Sequence, residues 1–270
     1  MTEAPLVCEM SARKCIFCDA KMTGKKSREH VLPLWMQRRW GLTDEGVLQT
    51  HFSSSGNVLS NRHHGLNNHV CGCVCAHCNN GWMSELEADV QPILIALAEG
   101  QGTLSALESV QRLTLARWAC KTAYSLHAAA NYRPIVAMEH YHWIRSNAQE
   151  LPPRVCVHAR LHQSTEPFAW WQAPQWWIAE EHVVTPDMVR VIRGKAYKIC
   201  FSVKDLILLV SHNPFPDMLL ALWRDNHIPV FPERGPYYWF ERDGFPEDHT
   251  HRACIWLLGS MGLKQRQDAP

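Results

Sequence analysis

Apolar residues recur at helical spacing from Trp82 to about Ala98, where Met83, Leu86, Val90, Ile93, Leu94 and Leu97 fall on one side and Gly100 and Gly102 follow as stop signals. A second long helix is expected from Ala106 to Ala130, with Leu107, Val110, Leu113, Leu115, Trp118 and Ala119 on its apolar side, and a third from Met138 to Ala148. After the break at "LPPR" the period changes. "RVCVHARLH", "AWWQAPQWWIAE" and "AYKICFSVKDLILLVSH" have the alternation and the aromatic or β-branched content of strands. Upstream of the first helix, "KCIFCDAKMTGKKSREHVLP" reads as a knuckle, a turn at Thr23-Gly24 and a short strand ending near Arg28 or Glu29, and Pro33 keeps it from continuing as a helix interior. The residues from about 41 to 69 are polar and rich in Gly, Ser, Asn and His, and they read as an insertion or long loop.

This order of elements predicts an α+β chain in three parts: a tail over 1–12, a small N-terminal domain over 13–100 that carries the insertion, and a helical and mixed α+β region over 101–270. Nine of the twelve Trp lie beyond residue 101, so the second half is expected to build a core of its own.

Composition narrows the class. The chain has 270 residues, 46% of them hydrophobic, which is enough for a packed core. It has no run of 18 apolar residues, and "MTEAPLVCEM" lacks the basic start and apolar stretch of a signal peptide, so a soluble, cytoplasmic, membrane-free protein is expected. In that compartment its eleven cysteines should be buried, metal-bound or catalytic rather than paired in disulfides. A formal charge of +1 makes the molecule no polycation. Locally, however, Arg13, Lys14, Lys21, Lys25, Lys26, Arg28, Arg38 and Arg39 face only Asp19 and Glu29. Within that island Lys25, Lys26, Arg28, Arg38 and Arg39 are candidate phosphate contacts, although solvated loop charges give the same pattern.

Cys15-x-x-Cys18 and Cys75-x-x-Cys78 are two pairs whose spacing presents both thiolates to one ion through a tight turn, and four such ligands close a tetrahedral zinc site. "CGCVC" leaves Cys71 and Cys73 as further candidates, with Cys75 and Cys78 preferred for their spacing. Cys8, Cys120, Cys156, Cys200 and Cys254 lie mostly in apolar patterns and read as core residues.

Eleven residues after Cys18 stands "EHVLP", and the second CxxC runs directly into Asn79. The order CxxC, acid-His-apolar-apolar-Pro, CxxC-Asn resembles the HNH endonucleases, the ββα-metal or His-Me finger group, in their four-cysteine, zinc-stapled form. "EHVLPLW" and "CNNGWMSELE" also look like motifs shared by a set of bacterial and phage HNH-like proteins. The resemblance covers about residues 13–95. It implies a structural zinc on Cys15, Cys18, Cys75 and Cys78, His30 as general base, and Glu29 and Asn79 holding a catalytic Mg²⁺ or Mn²⁺, with DNA as substrate.

The chemistry suits those residue types. Phosphodiester hydrolysis needs a deprotonated water and an acceptor for the charge that builds on the phosphate and the leaving oxygen. A hard cation suits a carboxylate and an amide oxygen. The chain departs from the family pattern at two points. The middle Asn falls at Val70, with Asn67, Asn68 or His69 as neighbouring substitutes, and a frequent Lys three residues after Asn79 is replaced by Trp82, which reads as packing on the knuckle. The alternative function is a zinc module that contacts nucleic acid or protein without cutting. From residue 91 onward the chain carries 18 Lys and Arg against 17 Asp and Glu, a balance that suits target choice or a protein partner through residues 101–270 better than bulk DNA affinity.

Overall fold

The computed structural model describes residues 14–22, 29–44, 46–52, 58–130, 134–162, 168–173, 177–178, 196–224, 227–235, 237–240 and 262–265, with backbone alone for 47–52, 58–64, 173, 177–178, 240, 262–263 and 265. Lys25, Lys26 and Arg28 lie outside these residues.

Strand β1 (Glu29–His30) pairs antiparallel with β4 (Val70–Cys71), in the register Glu29↔Cys71 and His30↔Val70. Between them come helix α1 (Leu34–Arg39), which begins directly after Pro33, and strands β2 (Gly46–Phe52) and β3 (Val58–Gly65). The stretch expected as a long loop is therefore an antiparallel hairpin, paired from Gly46↔Gly65 to Phe52↔Val58. Val47, Leu48, Val58 and Leu59 supply the strand-forming positions, and the Gly, Ser, Asn and His around them conceal the pattern.

Helices α2 (Ser84–Ala98), α3 (Ser109–Ala129) and α4 (Met138–Ser146) form close to the expected positions. A capping box opens α3: the Glu108 carboxylate accepts from the Gln111 backbone N–H, and Gln111 accepts from the Glu108 N–H.

The second half is built on an antiparallel five-stranded sheet. In sequence order its strands are β5 (Val155–Leu161), β6 (Phe168–Ala173), β8 (Tyr197–Val203), β9 (Leu206–His212) and β11 (Ile228–Phe231), and across the sheet they run β11-β5-β9-β8-β6. A tight turn at Lys204-Asp205, with Lys204 at φ 52°, joins β8 to β9. Strand β7 (Trp177–Ile178) joins β10 (Met218–Trp223), β12 (Tyr237–Phe240) and β13 (Gly262–Gln265) in a second sheet, ordered β12-β10-β13-β7.

Strand periodicity sends alternate side chains of the five-stranded sheet to different neighbours. Tyr197, Ile199, Phe201, Val203, Leu206, Leu208 and Val210 join the cluster with the helices. Cys200, Ile207 and Leu209 join a smaller one with Met218, Leu220 and Leu222 of β10. Both faces of β8 and β9 are covered, which is why they read as continuous apolar runs rather than alternating ones.

The larger cluster does not stop at residue 100. It runs from Cys15, Ile16 and Phe17 through Leu86, Val90 and Leu94 of α2 and Trp118 and Tyr124 of α3 to Phe201 and Val230. Trp118 meets Phe201 edge-on, with centroids 5.9 Å apart, and the Tyr124 and Tyr197 hydroxyls are 2.8 Å apart. The core expected to be separate in the second half is thus shared with the knuckle, because α2 and α3 pack on each other and carry the apolar surface across. No described helix is long and apolar enough to cross a membrane.

His127, near the end of α3, is fully buried. Its Nε2 accepts from the Ile135 backbone N–H at 3.1 Å, so its proton sits on Nδ1 and donates to Gln172 Oε1 at 2.9 Å. Burial pulls its pKa down to about 4, partly opposed by Gln172. An unfolded histidine takes up a proton near pH 6.5, so this residue lowers folded-state stability progressively as pH falls from about 6.5 to about 4, by roughly 1.4 kcal/mol per unit of separation between the two pKa values. The NMR signals of the His127 ring are expected to stay those of a neutral imidazole through pH 6 and 5. Titration near 6.5 in the folded protein would contradict this.

Candidate metal centre and histidine strand

The first CxxC is held by a short hairpin in which Lys14 bridges Lys21. The Cys15 N–H donates to Ala20 O at 2.9 Å and the Asp19 N–H to Cys15 O at 2.8 Å, and Asp19 takes the left-handed conformation that closes the knuckle (φ 58°). The Ile16 N–H donates to Cys73 O at 3.0 Å and so docks this knuckle on the second. Cys75 is the N-cap of a single helical turn, Ala76–Cys78, and its sulfur accepts from the Cys78 N–H at 3.4 Å. The Cys75 N–H in turn donates to Cys15 Sγ at 3.3 Å.

These bonds bring the four sulfurs of Cys15, Cys18, Cys75 and Cys78 within 4.8 Å of one another, with Cys18 and Cys75 at 3.6 Å. Zinc–sulfur bonds of about 2.3 Å in a tetrahedron place sulfurs about 3.8 Å apart, so the group has the size and donor set for one zinc ion. It is the only cluster of three or more potential ligands of this kind among the described residues. Cys71 and Cys73 stand outside it, with their sulfurs 3.4 Å from each other. Crowding sets the acidity of the thiols. Hydrogen bonding from Cys78 pulls Cys15 down to about 4 against the effect of burial, while the same contact pushes Cys78 up. Hydrogen bonds thus favour the thiolate of Cys15 over that of Cys78, and a divalent cation is what would stabilise both together.

Phe17 of the first knuckle packs edge-on against Trp82, with centroids 5.5 Å apart, so Trp82 fills the space over the cluster as its sequence position suggested. Asn79 begins the widened turn Asn79–Met83, where Gly81 (φ −98°, ψ −116°) breaks the run before α2 starts. Its N–H donates to Cys75 O at 3.0 Å, and its position is therefore fixed by the second knuckle.

On the neighbouring strand, His30 pairs with Val70 and is half-buried, and the following Val31 N–H donates to His69 O at 3.1 Å. Backbone pairing with β4 steadies the histidine strand at the place where the family pattern would put an Asn.

Glu29 points the other way. It is 4% exposed, and its Oε1 lies 2.5 Å from the Lys121 ammonium of α3, which in turn lies 2.6 Å from Glu87 Oε1 of α2. Lys121 is wholly buried. Burial pushes its pKa down, but Glu29 and Glu87 outweigh this and hold it above the ordinary lysine value. Burial pushes Glu87 up, and Lys121 offsets that only in part. The carboxylate expected to hold a divalent ion is thus turned to Lys121. It is buried and already bonded to a fixed cation, whereas Mg²⁺ keeps several of its waters.

The candidate phosphate contacts divide. Arg38 is exposed. Arg39 closes its fork on Glu99, with Nε–Oε1 at 2.6 Å and Nη2–Oε2 at 2.9 Å, and Trp40 Nε1 donates to the same carboxylate at 3.1 Å. This pair ties the end of α1 to the end of α2.

The chain matches no known family model, no curated protein and no solved structure.

Purified protein is expected to carry about one tightly held zinc per chain, and Cys15→Ser or Cys78→Ser should lose it together with the order of residues 14–22. Elemental analysis of reduced, folded protein that finds no zinc would remove this assignment.

Proposed function

We propose that the chain is a zinc-stapled module of the HNH type that acts on DNA, with His30 as the group that takes a proton from water during phosphodiester hydrolysis. The observation that carries this reading is the position of His30. It stands half-exposed on a strand that pairs antiparallel with β4, and β4 leads within a few residues into the second thiol pair and then into α2. Two short strands and a helix around a four-thiol cluster, with histidine on the first strand, is the arrangement a ββα finger needs. The ion on the thiols is zinc in a structural role, since all four positions of a tetrahedron are filled by protein and none is left for water or substrate. The general base works through its own ring nitrogen, so it needs the strand to be fixed and its ring to be reachable.

A second reading, binding to DNA or a protein partner without cutting, is favoured by one observation: the Glu29 carboxylate is engaged by Lys121. Residues 101–270 are the larger part of the chain and, in either reading, the expected source of target selectivity.

Supercoiled plasmid separates the two. The zinc-loaded full chain is expected to nick it, and His30→Ala should lower the rate on the order of 10²- to 10⁴-fold while leaving zinc content and circular dichroism unchanged. Cleavage by His30→Ala at the unmutated rate would rule out His30 as the base. Absence of cleavage by the intact chain, together with retarded migration of the DNA, would establish the second reading.

A further inference from the structure

Three segments far apart in sequence meet at one buried point: Glu29 from β1, Glu87 from α2 and Lys121 from α3. Two carboxylates facing each other across a small gap form the start of a cation site, and here the gap holds an ammonium. We propose that Lys121 permanently fills the place at Glu29 where a divalent cation would bind, so that the chain holds one metal ion, on its thiols, and no Mg²⁺ or Mn²⁺ on Glu29.

The geometry leaves little alternative. Lys121 Nζ lies 2.5 Å and 2.6 Å from the two carboxylate oxygens, closer than any water-bridged contact would be. Its side chain is wholly buried, while those of Glu29 and Glu87 are 5% and 20% exposed. A divalent ion arriving at Glu29 would either sit beside a buried positive charge or displace it. The displaced ammonium would have no water to enter, because α3 is buried on both sides of this residue, at Ala119, Cys120, Thr122 and Ala123. Magnesium and manganese also keep several of their waters, and a Glu29 side chain that is 5% exposed offers them little access.

This fixed charge explains why Glu29 can be an acid in a family-like position and yet lie turned into the core. The ammonium neutralises it without needing solvent, and it anchors the strand that presents His30 to both helices. Hydrolysis by this chain would then have to draw its charge stabilisation from groups other than a cation held by Glu29.

The inference does not rest on the hydrolytic reading, because it is tested without DNA by counting ions. The full chain, purified with its zinc, is titrated with Mn²⁺ and the free ion is followed by electron paramagnetic resonance. The unmodified protein is expected to take up no stoichiometric Mn²⁺. Lys121→Ala, which removes the ammonium and leaves Glu29 and Glu87 facing an open space, is expected to gain about one Mn²⁺ per chain, and Glu29→Gln added to it should abolish that gain. One Mn²⁺ bound by the unmodified chain and lost on Glu29→Gln or Asn79→Ala would overturn the proposal, as would a folded Lys121→Ala that takes up none. Where Lys121→Ala fails to fold, the titration of the unmodified chain, with Asn79→Ala as its control, decides the matter alone.

Discussion

A lysine buried without water must be paired, and Lys121 meets that requirement with two carboxylates from two other elements. The consequence is geometric. For both ion pairs to form, β1, α2 and α3 have to lie at one separation and one rotation, and any slip leaves a charge unpaired in the core. Breaking such a pair from one side costs about 3–5 kcal/mol, far more than an exposed pair. The Arg39–Glu99 pair, which ties α1 to the end of α2, is of the exposed kind, with 45% and 24% of the two side chains open to solvent, and contributes correspondingly little to stability.

The thiol cluster and the ion cluster divide the work of holding His30. Four sulfurs fix the two knuckles to each other and set where α2 begins. The lysine fixes the far side of β1, and backbone bonds to Val70 and His69 fix the strand edge between them. The apolar core then continues without interruption from Phe17 to the five-stranded sheet, so the residues around the thiols share their core with those beyond residue 100. A fragment ending near residue 100 would leave Leu86, Val90 and Leu94 facing water and Glu29 and Glu87 without their cation.

Much of this was legible in the residues. The periodicity of α2 and α3 and the paired CxxC motifs located the long helices and the thiols, since both signals are local and repeat at a fixed interval. The hairpin of 46–65 was not legible, because its strand-forming residues are few and sit among Gly, Ser and Asn that favour turns in isolation. The role of Lys121 was missed for a different reason. It stands in "WACKTAYSLHAAA", a lone charge in a run of small and aromatic residues on a helix, and that was a signal of burial with a partner. Its partners, however, lie 92 and 34 residues away in sequence, and no spacing rule connects them. Glu87 lies in the first turn of α2, where any acid complements the helix start and gives no sign of a partner. Only the packing of α3 on α2 reveals that its charge is spent inward.

The central claim is that one buried ion pair sets the position of the histidine strand, and a double-mutant cycle on stability measures it most directly. Glu29→Gln and Lys121→Met are made singly and together in the zinc-loaded chain, and unfolding is followed in urea. The account predicts that each single change costs about 3–5 kcal/mol, because Glu29→Gln leaves Lys121 with Glu87 alone and Lys121→Met leaves both carboxylates without their cation, and that the double change costs clearly less than their sum. Strictly additive losses, or single changes that cost less than about 1 kcal/mol, would show that Glu29 and Lys121 do not depend on each other and would contradict it.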